Sequence, residues 1–161
     1  MNEKEKLNID YYLSLGTNLG NKENNLNKAI DFLKEKVEIV SVSSIYKTSP
    51  VDMKPGTDFF LNMVIKAKTP IKPIEFLKLT QDIEKKMGRE KKSKKGNYED
   101  RIIDIDILLA SSQIFNTATL TLPHKEMLNR AFVLVPLNEI EPDLIHPINK
   151  KKISSFLTYS R

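Results

Sequence analysis

The sequence has the length and composition of one globular domain. It contains 161 residues, 40% of them hydrophobic and 29% charged, and its lack of cysteine excludes disulfides, thiolate metal sites and thiol nucleophiles. The net charge of +5 and the pI near 9.2 favour anionic partners. No stretch has the length and apolarity of a membrane span. We therefore expect one domain over residues 1–161, with a flexible leader at residues 1–8, in the cytoplasm and without a membrane partner.

The N-terminal half of the chain predicts a strand, a helix and an antiparallel hairpin, in that order. Residues 11–15 are apolar or aromatic and predict the first strand, which is followed by a loop at residues 16–21. Apolar residues at helical spacing predict an amphipathic helix over residues 23–36. The runs 37–46 and 59–66 contain many β-branched residues and predict two strands that pair with each other.

A second helix and a strongly basic loop follow the hairpin. Pro73 is well placed at a helix start, and apolar positions at helical spacing continue to Gly88, which suits a helix end. Lysine and arginine dominate residues 85–95, and Arg101 stands directly before the next strand. Such a run favours a phosphate-rich ligand, although by itself it also describes a solvated loop.

Asp104 and Asp106 are the most informative residues of the chain, because they interrupt a run over residues 102–109 that predicts a buried strand. Residues two apart in a strand project from the same face, so both carboxylates look into one site. The residues predicted to fill the core behind them are Ile103, Ile105, Ile107 and Leu109. Two neighbouring carboxylates repel each other unless a cation lies between them, and hard oxygen ligands favour Mg²⁺ or Mn²⁺. The alternative is a half-exposed strand with solvated aspartates.

The order of the elements up to this strand is β-α-β-β-α-β. This order indicates an α/β (α+β) fold with a ferredoxin-like core, a mainly antiparallel sheet and helices on one face. The remaining residues predict C-terminal additions, including a helix over residues 130–140 that Pro136 kinks or interrupts. The tail beyond residue 146 is expected to pack through its apolar side chains Ile153, Phe156 and Leu157.

Several short motifs occur in a fixed order over most of the chain. They are Gly16-Thr17-Asn18-Leu19-Gly20, Phe60-Leu61-Asn62, Gln81-Asp82-Ile83-Glu84 leading to Gly88-Arg89, Arg101-Ile102-Ile103-Asp104-Ile105-Asp106-Ile107-Leu108, and Leu122-Pro123-His124 followed by Asn129-Arg130-Ala131-Phe132. Together they resemble the 6-hydroxymethyl-7,8-dihydropterin pyrophosphokinases of folate biosynthesis, from about residue 12 to about residue 147. The resemblance implies an α/β sandwich with a ferredoxin-like core.

The resemblance implies a diphosphokinase reaction, in which the β,γ-pyrophosphoryl group of ATP moves to the hydroxymethyl oxygen of the pterin and AMP is released. It also implies two Mg²⁺ ions, both bound by Asp104 and Asp106. Metal ions that bridge phosphate oxygens can align the β-phosphorus with the attacking hydroxyl group, so the chemistry agrees with this assignment. The expected partners are ATP and 6-hydroxymethyl-7,8-dihydropterin, and we expect a monomer that binds no nucleic acid.

The remaining site residues are also implied by the resemblance. The predicted catalytic residues are Asp104, Asp106, Arg89 and Arg101. The predicted ATP contacts are Gln81, Glu84, Arg89, Lys91, Lys92, Tyr98, Arg101, Thr121, His124 and Arg130. The predicted pterin contacts are Thr48, Ser49, Val51, Phe60, Asn62 and Phe132. Guanidinium groups suit phosphate oxygens. The aromatic faces of Phe60 and Phe132, with the amide of Asn62, suit a flat heterocycle. Without the resemblance, both phenylalanines would be assigned to the core.

Two other functions use the same residues. A small basic RNA-binding module can have the same order of elements, but its aromatic-rich strand is missing here and two aspartates would repel a phosphate backbone. A nucleotidyl transferase or a simple phosphoryl transferase would use the same metals. The chain also has Glu99-Asp100 where many members of the family have Gly-Pro, which predicts an altered geometry of the basic loop.

Overall fold

A computed structural model describes residues 7–49, 56–88 and 102–157. The strands are β1 (Ile9–Thr17), β2 (Glu38–Val42), β3 (Tyr46–Thr48), β4 (Phe60–Thr69), β5 (Asp104–Ala110), β6 (Phe115–Asn116) and β7 (Thr121–Leu122). The helices are α1 (Lys22–Lys34), α2 (Pro73–Lys86) and α3 (Ala131–Ile140), with short 3₁₀ helices at Met127–Asn129 and Ile153–Phe156. None of these helices is both long enough and apolar enough to cross a membrane.

The main sheet is built from antiparallel pairs. Its order is β2-β4-β1-β5, and β3 also pairs with β4. Consequently β1 and β2 run parallel with β4 between them, which is how a split βαβ unit is connected. The predicted mixed fold with an antiparallel sheet is confirmed, whereas the finer assignment of a ferredoxin-like core stays a prediction. The predicted hairpin is present, but its first strand is divided into β2 and β3, which pair with successive parts of β4.

Each face of the sheet buries its own core. On one face, which α1 and α2 cover, Tyr11 stacks on Phe76 with 4.0 Å between the ring centroids. On the other face, α3 and the C-terminal 3₁₀ helix pack against Tyr12 and its neighbours. The helices of the predicted core therefore share a face, and the C-terminal additions cover the opposite one. Ile153 is fully buried there, and Phe156 packs beside it, as expected for the tail.

The register of β5 corrects one part of the predicted core. Ile107 pairs with Leu13, but the next pair along is Leu109 with Tyr12, so a bulge at Leu108 shifts the alternation. Leu109 therefore joins the core under α3, and not the core that contains Ile103, Ile105 and Ile107. The extra residue comes after both aspartates in the strand, so Asp104 and Asp106 still project from the same face.

Helix α3 is anchored to the chain next to β3. The Glu139 carboxylate accepts hydrogen bonds from the Ser44 backbone N–H at 3.0 Å and from the Tyr46 hydroxyl at 2.6 Å. Pro136 is buried within α3, and the helix continues beyond it to Ile140, so Pro136 does not interrupt the helix and a kink stays a prediction. This anchor fixes the helix whose first turn carries Phe132.

His146 organises the turn before the C-terminal 3₁₀ helix. The residue is 5% exposed, and its Nδ1 accepts hydrogen bonds from the backbone N–H groups of Ile148 and Asn149, at 3.3 and 3.2 Å. Burial lowers the pKa of His146 below the ordinary value of 6.5. The unfolded chain therefore takes up a proton on His146 at a higher pH than the folded chain does. As the pH falls from about 6.5 through the folded-state pKa, this difference lowers the free energy of unfolding.

We expect the substitution His146→Asn to reduce the pH dependence of stability. The asparagine oxygen can accept the same turn hydrogen bonds but does not titrate in this range. Urea unfolding of both proteins at about pH 8 and about pH 5 measures the effect, and the free energy of unfolding should fall less in the variant. His124 is unchanged in both proteins, so its titration cancels. Equal falls in the two proteins would contradict the assignment to His146.

Candidate active site

A row of paired residues crosses four strands on the sheet face opposite α1 and α2. Asp104 of β5 pairs with Gly16 of β1, Gly16 pairs with Asn62 of β4, and Asn62 pairs with Tyr46 of β3. Neighbouring strands are about 4.8 Å apart, so the backbones at Asp104 and Asn62 are separated by about 10 Å. The register thus puts a predicted metal ligand and a predicted pterin ligand on one line across the sheet.

Asp106 lies in the next row on the same face, opposite Ser14. Both aspartates are half-buried, whereas Ile105 between them is 1% exposed in the core behind the sheet. Two carboxylates on one face suit Mg²⁺, which commonly binds one or two protein carboxylates and completes its shell with water and substrate phosphates. No cluster of three or more acidic, histidine or cysteine side chains suited to a metal occurs within the described ranges. Phosphate oxygens and water would therefore supply the other ligands.

His124 is held against the strand that carries the aspartates. Its backbone N–H donates to the carbonyl oxygen of Leu108 at 2.9 Å, and its Nδ1 accepts from the backbone N–H of Glu126 at 3.1 Å. Burial lowers the pKa of His124, the Asp106 carboxylate opposes that shift, and the Arg130 guanidinium adds to it. The neutral ring therefore carries its proton on Nε2, which is left to act as a donor.

Two of the predicted pterin contacts, Asn62 and its hydrogen-bond partner Thr48, lie at the other end of the row. Asn62 is 4% exposed, and its Nδ2 donates to the Thr48 hydroxyl at 2.7 Å, which fixes the orientation of the amide. Phe60 and Phe132 are both half-buried, and the Arg130 guanidinium lies 5.6 Å from the centroid of the Phe132 ring. Ser49, directly after β3, is exposed. One residue, Arg130, is thus close to both the predicted phosphate and pterin regions.

The two predicted ATP contacts on α2 differ in their surroundings. Gln81 is exposed, as a ligand contact on the helix surface requires. Glu84 is 3% exposed, and its Oε2 accepts a hydrogen bond from the backbone N–H of Ile105 at 2.8 Å. The Glu84 carboxyl group is therefore turned towards β5, and the nucleotide contacts of both residues stay predictions. Thr121 is half-buried in β7, and its nucleotide contact stays a prediction.

Some predicted site residues lie outside the described residues. They are Val51, Arg89, Lys91, Lys92, Tyr98 and Arg101. The same is true of Glu99-Asp100 in the basic loop. Their roles therefore rest on the sequence alone and stay predictions.

Gly16 is a site residue that the sequence pattern did not single out. The pattern predicts it in the loop after the first strand, but β1 extends to Thr17 and includes it. A Cβ atom at Gly16 would lie 3.0 Å from Asn62 Oδ1, which is closer than ordinary contacts allow. Glycine therefore keeps the space open between Asn62 and Asp104. A glycine inside an apolar strand is a known sign of close approach, and that signal is present in the sequence.

A cluster of charged and aromatic side chains fixes the chain just before Phe60. Lys22 Nζ lies 3.5 Å from the centroid of the Phe59 ring and donates to the Asp58 carboxylate at 2.7 Å. Lys47 Nζ lies 4.1 Å from the same ring centroid. The ring thereby links the start of α1, strand β3 and the chain before β4. No sequence pattern points to this cluster, because its partners are far apart along the chain.

The chain is a small α/β protein with two half-buried aspartates on one face of an antiparallel sheet, and His124 and Arg130 lie near them. The profile of the 7,8-dihydro-6-hydroxymethylpterin-pyrophosphokinase (HPPK) family matches residues 12–142. This match covers most of the 161 residues. The chain belongs to this family, which confirms the resemblance seen in its motifs.

Individual relatives agree with the family match. The chain is 40% identical over 145 residues to the 2-amino-4-hydroxy-6-hydroxymethyldihydropteridine pyrophosphokinase of Aquifex aeolicus, covering 90% of this chain and 88% of the relative. It is 41% identical over 138 residues to the protein of the same name from Porphyromonas gingivalis, covering 84% of this chain and 92% of the relative. The folic acid synthesis protein fol1 of Schizosaccharomyces pombe is 38% identical over 148 residues, which are 91% of this chain but 20% of that protein.

Solved structures support the fold. The Plasmodium falciparum HPPK-DHPS structure with pteroate superposes with a TM-score of 0.71 at 17% sequence identity. The superposition covers 92% of this chain and 42% of the Plasmodium chain. At this identity the likeness concerns the fold alone, and it agrees with the mixed, antiparallel architecture described above.

Proposed function

We propose that this protein transfers pyrophosphate from ATP to the hydroxymethyl group of 6-hydroxymethyl-7,8-dihydropterin, in folate biosynthesis. The products are AMP and the pterin diphosphate. The observation that carries the proposal is the row from Asp104 through Gly16 to Asn62, in a chain that belongs to the HPPK family. This row would bring the metal-bound triphosphate and the pterin to the same face of a rigid sheet.

The proposed reaction is an in-line displacement at phosphorus. The hydroxymethyl oxygen attacks the β-phosphorus of ATP, the bond from that phosphorus to the α,β-bridging oxygen breaks, and the bridging oxygen leaves with AMP. The hydroxyl proton passes to solvent. Asp104 and Asp106 would hold two Mg²⁺ ions, which when bound offset the phosphate charge and favour alignment of the reacting atoms.

Other side chains would bind and orient the two substrates. The neutral His124 ring offers its Nε2–H to a phosphate oxygen, and Arg130 offers a planar guanidinium. With one amide hydrogen donated to Thr48, Asn62 keeps a second hydrogen and its oxygen for the polar edge of the pterin. Phe60 and Phe132 supply the aromatic faces between which the ring would stack.

The alternatives are less well supported. The comparisons do not support the RNA-binding module, and half-buried aspartates on the sheet face are unfavourable for a phosphate backbone. We further propose a single-domain, monomeric, cytoplasmic enzyme without nucleic-acid or membrane partners. These last features rest on composition and on the resemblance of the motifs.

The decisive assay is incubation of the purified protein with ATP, Mg²⁺ and 6-hydroxymethyl-7,8-dihydropterin. We expect AMP to form only when the pterin is present, together with one equivalent of pterin diphosphate detected by mass spectrometry. Reactions without pterin or with excess EDTA are the controls. Pterin-dependent ADP would instead indicate simple phosphoryl transfer. A folded protein that makes neither product and binds RNA at physiological salt would overturn the proposal in favour of the binding module.

A further inference from the structure

Glu84 makes a buried contact with the strand that carries the aspartate pair. It lies in the last turn of α2 and is 3% exposed, and its Oε2 accepts from the Ile105 backbone N–H at 2.8 Å. Ile105 is the residue between Asp104 and Asp106. The side chain of Ile105 is 1% exposed in the core, so the peptide is held both by packing and by this hydrogen bond.

The position of β5 explains why this contact is needed. Within the described sheet, β5 is at the end of the strand order and pairs on one side with β1. The outer edge of β5 has no partner among the described strands. The Ile105 N–H of β5 instead donates to the Glu84 carboxylate on α2. An edge strand can shift locally more easily than a central strand, and besides Glu84 the His124 backbone N–H holds β5 further along, at the Leu108 carbonyl oxygen.

We propose that Glu84 is a positioning residue for magnesium: its hydrogen bond to Ile105 fixes the backbone between the two aspartates and so fixes the separation and direction of their carboxylates. The inference rests on the proposed function, because it takes Asp104 and Asp106 as the metal ligands. Groups that orient metal ligands from behind commonly change metal affinity by about 10- to 100-fold when they are removed.

A neutral or apolar residue would be less costly to bury at this place. A buried carboxyl group carries a desolvation penalty that a leucine or methionine avoids. What a buried acceptor supplies at this place is a partner for the Ile105 N–H, which leucine and methionine cannot offer. The choice of glutamate therefore fits a role in holding the Ile105 peptide better than a role in packing alone.

Three substitutions separate the effects of reach, charge and volume. Glu84→Gln keeps an acceptor oxygen at the same reach, Glu84→Asp keeps the charge but shortens the side chain, and Glu84→Met keeps the volume without the acceptor. Thr80→Val is the matched control, because Thr80 is 1% exposed on the same helix and its hydroxyl donates to Leu77 within that helix, not to β5. Circular dichroism and urea unfolding identify the variants that fold.

The probe is Mn²⁺ in the presence of α,β-methylene-ATP, with free Mn²⁺ measured by electron paramagnetic resonance. We expect Mn²⁺ affinity to fall about 10- to 100-fold in Glu84→Met and Glu84→Asp, and to stay near the parent value in Glu84→Gln and Thr80→Val. Amide hydrogen exchange at Ile105 should accelerate in the first two variants only. If Glu84→Met does not fold, the Asp and Gln variants make the same comparison.

Each outcome addresses either the inference or the proposed function. Equal Mn²⁺ affinity in parent, Glu84→Asp and Glu84→Met would overturn the positioning role while leaving the proposed function intact. Weaker affinity in Thr80→Val to the same degree would show a general effect of helix stability and would also overturn it. A parent protein that binds no Mn²⁺ with the analogue overturns the inference. A parent that binds Mn²⁺ but makes no pterin-dependent AMP overturns the proposed function alone.

Discussion

Replacing Asp106 by asparagine should reduce pterin-dependent AMP formation by about 100- to 1,000-fold, and Asp104→Asn should have a similar effect. The amide has the same size and shape as the carboxylate but lacks its charge and is a weak ligand for Mg²⁺. Both residues are half-buried on one face of β5, so the fold should be retained while the metal site is lost. Initial rates over a range of Mg²⁺ concentrations measure the loss.

Asp31→Asn is the matched control for these substitutions. Asp31 is exposed on α1, away from the sheet face that carries the site, so the same chemical change there should leave the rate unchanged. Circular dichroism and thermal unfolding show whether each variant is folded. A rate at saturating Mg²⁺ equal to that of the parent in Asp106→Asn would mean that the aspartate pair does not form the metal centre.

Adding a single methyl group at Gly16 should lower kcat/KM for the pterin by about 10-fold. The Cβ atom of Gly16→Ala would lie 3.0 Å from Asn62 Oδ1, so either the amide or the strand must move. Because Asn62 is fixed by Thr48, a displacement also disturbs that hydrogen bond. The clash requires a displacement of a few tenths of an ångström, which is smaller than the roughly 1 Å misplacement that can cost about 100-fold, so a smaller loss is expected.

Separate binding measurements make the Gly16 prediction specific. Calorimetry should show weaker pterin binding but nearly unchanged binding of an ATP analogue with Mg²⁺, since the clash is with the pterin ligand. Gly20→Asn is the control, because Gly20 has a φ of +66°, which asparagine tolerates, and an added Cβ atom would meet nothing within 4 Å there. The added methyl group is expected to lower the free energy of unfolding by about 1–3 kcal/mol, so the assays are carried out well below the unfolding temperature of the variant. Unaltered pterin affinity in Gly16→Ala would refute the clash.

The sequence predicted the strand of the aspartates well and the register around it poorly. Strict alternation from Ile103 to Ile107 identified both the buried face and the acidic face, because a strand has a period of two. The bulge at Leu108 moved Leu109 to the other core, and alternation alone cannot locate an inserted residue. The division of the second strand into β2 and β3 could not be predicted either, since strand pairing depends on residues far away in the chain.

Glu84 shows that helical spacing carries more information than residue charge at this position. Phe76, Thr80, Ile83 and Glu84 lie at positions i, i+4, i+7 and i+8, and all four are buried. The helical period puts Glu84 on the inward stripe with these residues, whereas the sequence predicted it only as an ATP contact. The acceptor role towards Ile105 could not be inferred, because nothing in the chain indicates which distant backbone group a buried acid will meet.

The central position of β1 has a consequence for synthesis on the ribosome. This strand emerges before the other described strands, and most of its side chains are buried in the folded protein, but its two neighbours are β4 and β5. Until those later strands have emerged, both edges of an apolar segment are unpaired, which is the condition that favours aggregation and the binding of chaperones. The row from Asp104 to Asn62 forms only when both neighbours have joined β1, so a nascent chain that stops before β5 cannot contain the site.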